Sequence, residues 1–160
     1  MCGMRTAGQV VSNEKVLLCR VPPRLVALPV EHVIETMRPL PVEPLSGMPE
    51  YVIGLSIIRG MPVPVVDTSR ILGGRELQPQ RFVTVRTGGR VVALAVGPIV
   101  GAQSVSTDSL GHLPPLVRDA AGHIIAAMGA LDDRLLLVLS SAHLVPEEVW
   151  HQMDAGAAAR

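Results

Sequence analysis

Aromatic residues are scarce: Tyr51, Phe82 and Trp150 are the only three in 160 residues. That shortage excludes the stacking platforms on which single-stranded nucleic acid is held, and it leaves the core to Val, Leu, Ile and Ala. Net charge is missing too, with 14 basic residues set against 14 acidic ones. A neutral chain has no general pull on nucleic acid, which needs a basic patch to release counterions, and none on acidic membrane surfaces. Cysteine is limited to Cys2 and Cys19, without a repeated spacing, so no disulfide framework is expected. Cys19 lies inside the apolar run VLLCRV and reads as a buried thiol acting as a small hydrophobe. The opening residues MCGMRTAGQVVSNEK lack the apolar centre of a signal peptide. No apolar run approaches the roughly 20 residues of a membrane span. A reduced, cytoplasmic protein with no direct membrane insertion is expected.

What is present is aliphatic and short-patterned. Hydrophobic residues make up 48% of the chain, enough for a core without staples at a length of one domain. VLLCRV (16–21) and RLVALPV (24–30) flank Pro22-Pro23 and predict a hairpin with a proline turn. EHVIETM (31–37) has Val33 and Met37 four apart, the spacing of one or two helical turns. The prolines of RPLPVEPLSGMP (38–49) predict an extended loop. YVIGLSIIRG (51–60) and MPVPVVD (61–67) read as two strands with Gly60 at the corner. Pro62 and Pro64 cannot donate to a ladder, so the second strand is expected at an edge or paired only through its other residues.

The second half has the same style. TSRILGG (68–74) predicts a brief helical turn closed by glycines, and Asp67 before it is expected to accept backbone N–H bonds. RFVTVRT (81–87) and RVVALAVGPIVGAQSV (90–105) flank Gly88-Gly89, a hairpin signal. After a loop at 110–122, HIIAAMGAL (123–131) and RLLLVLS (134–140) flank Asp132-Asp133. HLVPEEVWHQMDAGAAA (143–159) predicts a terminal helix, with Pro146 and two glutamates in its first turn. Many short strands at this spacing predict a small all-β barrel or sandwich with one terminal helix.

Catalytic motifs do not emerge. Neither a Walker loop nor a dinucleotide fingerprint occurs, and the glycine pairs read as turns. The histidines at 32, 112, 123, 143 and 151 never take the helical spacing of a zinc site. Ser140-Ser141 beside His143 lack an elbow sequence and an acid to orient the histidine, and a helix start explains the serines better. An enzyme based on Asp67, Asp108 or His143 would rest on residue type alone. No cofactor and no metal are expected. A small-ligand module is the other alternative, and it requires a pocket of roughly 300 Å³ or more with convergent polar groups.

One stretch resists a packing explanation. GLSIIRGMPVPVVD (54–67) sets Arg59 between two apolar runs. Strand alternation puts Arg59 on the face of Tyr51, Ile53, Leu55 and Ile57, poor company for a charge. A bend or bulge near Gly60 would turn the guanidinium outward while its stem covers apolar surface. Two roles then stand open: an interface anchor able to fork onto a carboxylate, or a structural pair with Glu35 or Asp67.

The residues around Arg59 carry a resemblance. RLVALPVEHVIETM, PLSGMPEYVIGLSIIRG and VPVVDTSRILG follow, in order and spacing, the motifs of the CheW-like family, whose members couple chemoreceptors to the histidine kinase CheA. RVVALAVGPIVGAQSV and GALDDRLLLVLSSAHLV resemble its later strands and closing helix, so the likeness runs over about residues 14 to 150. It implies an all-β fold of two packed five-stranded SH3-like β-barrel subdomains, strands exchanged between them, with a short C-terminal helix. Residues 1–13 would be a flexible segment, 14–150 a single domain, and 151–160 a tail.

The resemblance also implies a non-enzymatic adaptor. Its partners would be the cytoplasmic tip of a methyl-accepting chemoreceptor and the regulatory domain of a CheA-type kinase. Matched position by position, the implied partner-binding residues are Val33, Glu35, Gly54, Ile57, Ile58, Arg59 and Gly60. Taken alone, Val33 would be core, Glu35 a solvated charge and Gly54 a close backbone approach. Asp67 and Val65 match an element read as structural. Four departures stand out: Ile57 replaces the family's asparagine, Thr68 a leucine, Gly97 an aspartate and Ser46 a proline. The change at Ile57 points to partner surfaces unlike the usual ones, as in a pathway driving pili, gliding or gene regulation.

Overall fold

The computed structural model describes residues 13–106, 110–111, 115, 125–131, 134–139, 150–151 and 153. Two sheets account for most of them. The first has the strand order β8-β1-β2-β11-β10-β9. Its strands are β1 (Asn13–Val21), β2 (Arg24–Pro29), β8 (Ile99–Ser106), β9 (Leu110–Gly111), β10 (Ile125–Leu131) and β11 (Arg134–Leu139). The second has the order β3-β6-β7-β5-β4. It is built from β3 (Val33–Met37), β4 (Val52–Ile58), β5 (Met61–Asp67), β6 (Arg81–Thr87) and β7 (Arg90–Val96). The second sheet is contiguous in sequence. The first is completed by the N-terminal hairpin, whose β2 lies parallel to β11 through Leu25↔Leu136, Val26↔Leu137 and Ala27↔Val138. The sixth strand of that sheet is the two-residue β9.

Three apolar clusters explain why the strands read as unbroken hydrophobic runs. Along β7, Val92, Leu94 and Val96 join a cluster shared by both sheets, whereas Ala93 and Ala95 face Phe82 in the hollow of the second sheet. Along β2, Val26 and Leu28 join the shared cluster while Leu25 and Ala27 face a third cluster with Val16, Leu18 and Val105. Strands buried on both faces lose the polar alternation that marks a half-exposed strand. The second sheet curls as it packs. Beyond β3 the chain returns to β4, where Glu43 and Leu55 exchange backbone hydrogen bonds of 2.7 and 2.9 Å. Ser56 Oγ adds a bond to the Pro41 carbonyl at 2.9 Å. The sheet's two edges are thereby drawn together without a continuous ladder closing them.

Gly54 is the position that permits this return. A Cβ there would stand 2.2 Å from the Glu43 carbonyl oxygen, so the close approach read from the sequence is present.

Several elements differ from the sequence reading. Of residues 31–37 only Glu31 and His32 are helical, in a 3-10 turn over Val30–His32, and the strand β3 follows. Val33, Ile34 and Thr36 are β-branched and suit a strand, and pairing with β6 decides the matter. The run 90–105 is two strands in different sheets, broken at Gly97-Pro98. Gly97 N–H donates to the Arg20 carbonyl at 2.9 Å, and Arg20 N–H to the Pro98 carbonyl at 2.8 Å. A Cβ on Gly97 would lie 2.6 Å from that Arg20 oxygen, which explains glycine at this crossing.

β5 is not an edge strand; it lies between β4 and β7. Ile58↔Met61 closes a two-residue hairpin and is a hydrogen-bonded pair, so Ile57↔Pro62 and Leu55↔Pro64 fall at non-bonded positions. The parallel ladder to β7 begins only at Val65, beyond both prolines.

Asp67 behaves as read. Its Oδ1 accepts from Ser69 N–H at 3.0 Å and Arg70 N–H at 3.2 Å, capping α1 (Thr68–Ile71). Its Oδ2 accepts from Leu77 N–H at 3.0 Å. Cys19 is buried, and that burial pushes its thiol pKa up to about 12. Of the predicted terminal helix, Trp150, His151 and Met153 are helical and the rest lies outside the described residues. Cys2, Asp108, His112, His123, Ser140, Ser141 and His143 also lie outside them.

Candidate docking site

Arg59 does not lie on the face of β4 assigned from strand alternation. It is the first residue of the two-residue turn between β4 and β5, with φ +54, followed by Gly60 at φ +78. Two successive positive φ values match the twist of a tight hairpin, and arginine is an uncommon occupant of the first. The face of Tyr51, Ile53, Leu55 and Ile57 is the outer, half-covered one, ending in an Ile57 that is 64% exposed. Leaving the strand before the arginine resolves the conflict between charge and neighbours.

The turn aims Arg59 at β3. Its Nε donates to Glu35 Oε2 at 2.9 Å and its Nη2 to Oε1 at 2.7 Å, a forked pair between the two ends of the curled sheet. Glu35 is set by a bulge. Val33 pairs with Val85 and Glu35 with Thr84, so Ile34 is the extra residue and projects outward, 41% exposed. Thr84 Oγ1 accepts from Glu35 N–H at 3.2 Å and donates to the Glu35 carbonyl at 3.3 Å, pinning the bulge. The Arg59 guanidinium holds the Glu35 carboxyl below its ordinary pKa, chiefly by that hydrogen bond, and Glu35 in turn raises the pKa of Arg59.

Beside this pair lies a groove of about 520 Å³. Ile34, Ile58, Met61, Pro62 and Val91 line it, and Trp150 and Met153 of the terminal helix border it. Arg90 also lines it, with its guanidinium carbon 4.7 Å from the centre of the Trp150 ring. The polar groups here engage one another: Arg59 with Glu35, Thr84 with the Glu35 backbone, Arg90 with Trp150. The groove has the size required of a ligand pocket, and its lining is mainly apolar.

Of the sequence-derived residues, Glu35, Ile58 and Arg59 meet at this groove, and Ile57 and Gly60 sit beside it on the hairpin tip. Ile58 is 6% exposed and belongs to the core cluster beneath. Val33 packs against the cluster shared by the sheets, and Gly54 is buried at the Glu43 crossing. Asp67 is 1% exposed, and its nearest cation is Arg70, 3.8 Å away, rather than Arg59. Sequence reasoning missed Ile34, Met61 and Trp150. Only Trp150 had a signal, as a lone indole with Met153 one helical turn on. Among the described residues there is no cluster able to hold a metal and no helix long and apolar enough to cross a membrane.

Comparison with known proteins agrees with this architecture. The chemotaxis protein CheW of Rhizobium meliloti is 25% identical over 111 residues, covering 68% of this chain and 72% of that protein. FrzA of Myxococcus xanthus is 29% identical over 129 residues, covering 78% of this chain and 79% of FrzA. The crystal structure of the scaffolding protein TtCheW from Thermoanaerobacter tengcongensis superposes with a TM-score of 0.72 at 19% identity. The superposition covers 82% of this chain and 91% of that one. At that identity the likeness concerns the fold. The model of the CheW-like domain matches residues 15–149, nearly the whole sequence, and the chain therefore belongs to the CheW-like family.

Proposed function

We propose that this chain is a cytoplasmic, non-catalytic adaptor in chemotaxis-type signalling, joining the tip of a chemoreceptor to the regulatory domain of a CheA-type histidine kinase. The observation that carries the reading is the hairpin tip. A forked Arg59–Glu35 pair holds a turn whose neighbours Ile57 and Met61 are each 64% exposed. Aliphatic side chains around an exposed guanidinium form the kind of patch from which interface anchors are drawn. Val33, Gly54 and Ile58 support the tip from within, and Glu35, Ile57, Arg59 and Gly60 present it.

The test is a calorimetric titration against a CheA-type histidine kinase. Arg59→Glu sets a carboxylate against Glu35 and is expected to weaken binding by about 30-fold or more, the size of a hot spot. Circular dichroism checks that the variant is folded. Equal binding by wild type and folded variant would remove Arg59 from the kinase interface. Absence of binding by the wild type would remove the kinase.

A second reading rests on Ile57. An exposed isoleucine where the family has asparagine suits an adaptor of a divergent pathway, with pili, gliding or gene regulation as its output. If so, Ile57→Asn restores affinity for a conventional chemotaxis kinase and lowers affinity for this chain's own partner.

A further inference from the structure

Among the described residues, the outer edge of β8 carries no pairing strand. Arg20 N–H and C=O both bond toward the start of β8, to Pro98 and Gly97, so even-numbered β1 residues face that strand. Their partners Gly101, Gln103 and Val105 therefore point their backbone groups at β1. By the same alternation Ala102 and Ser104 turn their N–H and C=O groups away from β1, to the outside. Among the described residues no strand pairs there. Ala102, Gln103 and Ser104 are exposed in succession, on both faces of the strand, and Val100 is 50% exposed.

Edge strands of soluble proteins are ordinarily blunted by charge or proline. From Ile99 to Ser106 the sequence IVGAQSVS has neither. Only the bulge opposite Leu18/Cys19 interrupts the strand, and it leaves 101–106 in regular register.

We propose that this edge is a self-association surface, pairing antiparallel with β8 of a second copy across a twofold axis at Gln103. A bonded pair needs residues whose groups point outward on both strands, a condition met when Ala102 pairs with Ser104. Ala102 meets Ser104 of the other copy and Ser104 meets its Ala102, each exchanging both backbone hydrogen bonds, and Gln103 lies opposite itself. The twofold sets Gln103 opposite its own copy, where a charged residue would face a like charge. The uncharged strand removes that repulsion, and the chain's net charge of zero adds none at longer range. The two six-stranded sheets then form one continuous sheet.

Sedimentation of the full chain from micromolar to millimolar concentration tests this. The mass is expected to double from 17.0 kDa as concentration rises. Ser104→Pro removes an N–H that points outward and so breaks no bond within the monomer. It is expected to weaken the dimer by about tenfold or more, through loss of a symmetry-related pair of hydrogen bonds. Ala102→Lys places like charges close together at the axis and should have the same effect, deciding the matter if circular dichroism shows the proline variant misfolded. A monomer at every concentration overturns the proposal, and so does a dimer that folded variants leave intact.

Discussion

Thr68 is fully buried, and its Oγ1 has no hydrogen-bond partner among the described residues. It stands at the start of α1, directly after the Asp67 cap, where the family pattern has leucine. Burying an unpaired hydroxyl costs about 1–3 kcal/mol. Valine has nearly the same shape and a similar helix propensity, so Thr68→Val replaces the unpaired group with a methyl in the same space. The expected gain is about 1–2 kcal/mol. An unfolding entropy of about 2.1 cal/mol/K per residue amounts to about 0.34 kcal/mol/K for this length, so the midpoint should rise by about 3–6 °C.

Thr84 supplies the internal control, because it is equally buried but both accepts from and donates to the Glu35 backbone. Thr84→Val strands those two groups and should cost about 1–3 kcal/mol. Calorimetric melting, with urea unfolding to check that the m-value is unchanged, measures both. The same chemical change should move stability in opposite directions at the two sites. A lower midpoint for Thr68→Val, or equal shifts of one sign, would refute the reasoning.

Gly54→Ala is expected to destabilise by about 1–3 kcal/mol, since its Cβ would meet backbone rather than a movable side chain; thermal melting of the variant measures the loss. The Glu35–Arg59 pair predicts a pH dependence. The folded carboxyl titrates below its ordinary value of 4.5, so its contribution is complete above that pH and is lost as pH falls through the lowered value. A carbon-13 NMR titration should show the Glu35 midpoint return upward in Arg59→Ala; an unchanged midpoint would mean that Arg59 does not hold the carboxyl.

Much of this fold is legible in the sequence because turn chemistry marks it. Pro22-Pro23, Gly88-Gly89 and the Asp67 cap each sit where their chemistry says. β3 is not legible, since Val33 and Met37 have helical spacing and only the ladder to β6 overrides it. Nor is the division of 90–105 between sheets, because strands buried on both faces give no alternation by which to assign one. At the docking site, motif resemblance singles out Glu35 and Arg59, and their pairing depends on a bulge and a left-handed arginine that no local propensity favours. Ile34 and Met61 look like core residues in the sequence. They are outside because one is the extra residue of a bulge and the other follows a tight turn.

The crossing of the chain between sheets has a consequence for biosynthesis. All five strands of the second sheet lie between residues 33 and 96, so its ladders can form while later codons are still being read. The first sheet cannot. Leu25 and Ala27 gain their neighbours Leu136 and Val138 only after β11 has left the ribosome. Until then the apolar face of the opening hairpin has only Val105 of β8 to help cover it. In a nascent chain the earliest strands are thus the last to be completed, and premature termination before residue 134 would strand them in a form that invites aggregation or proteolysis.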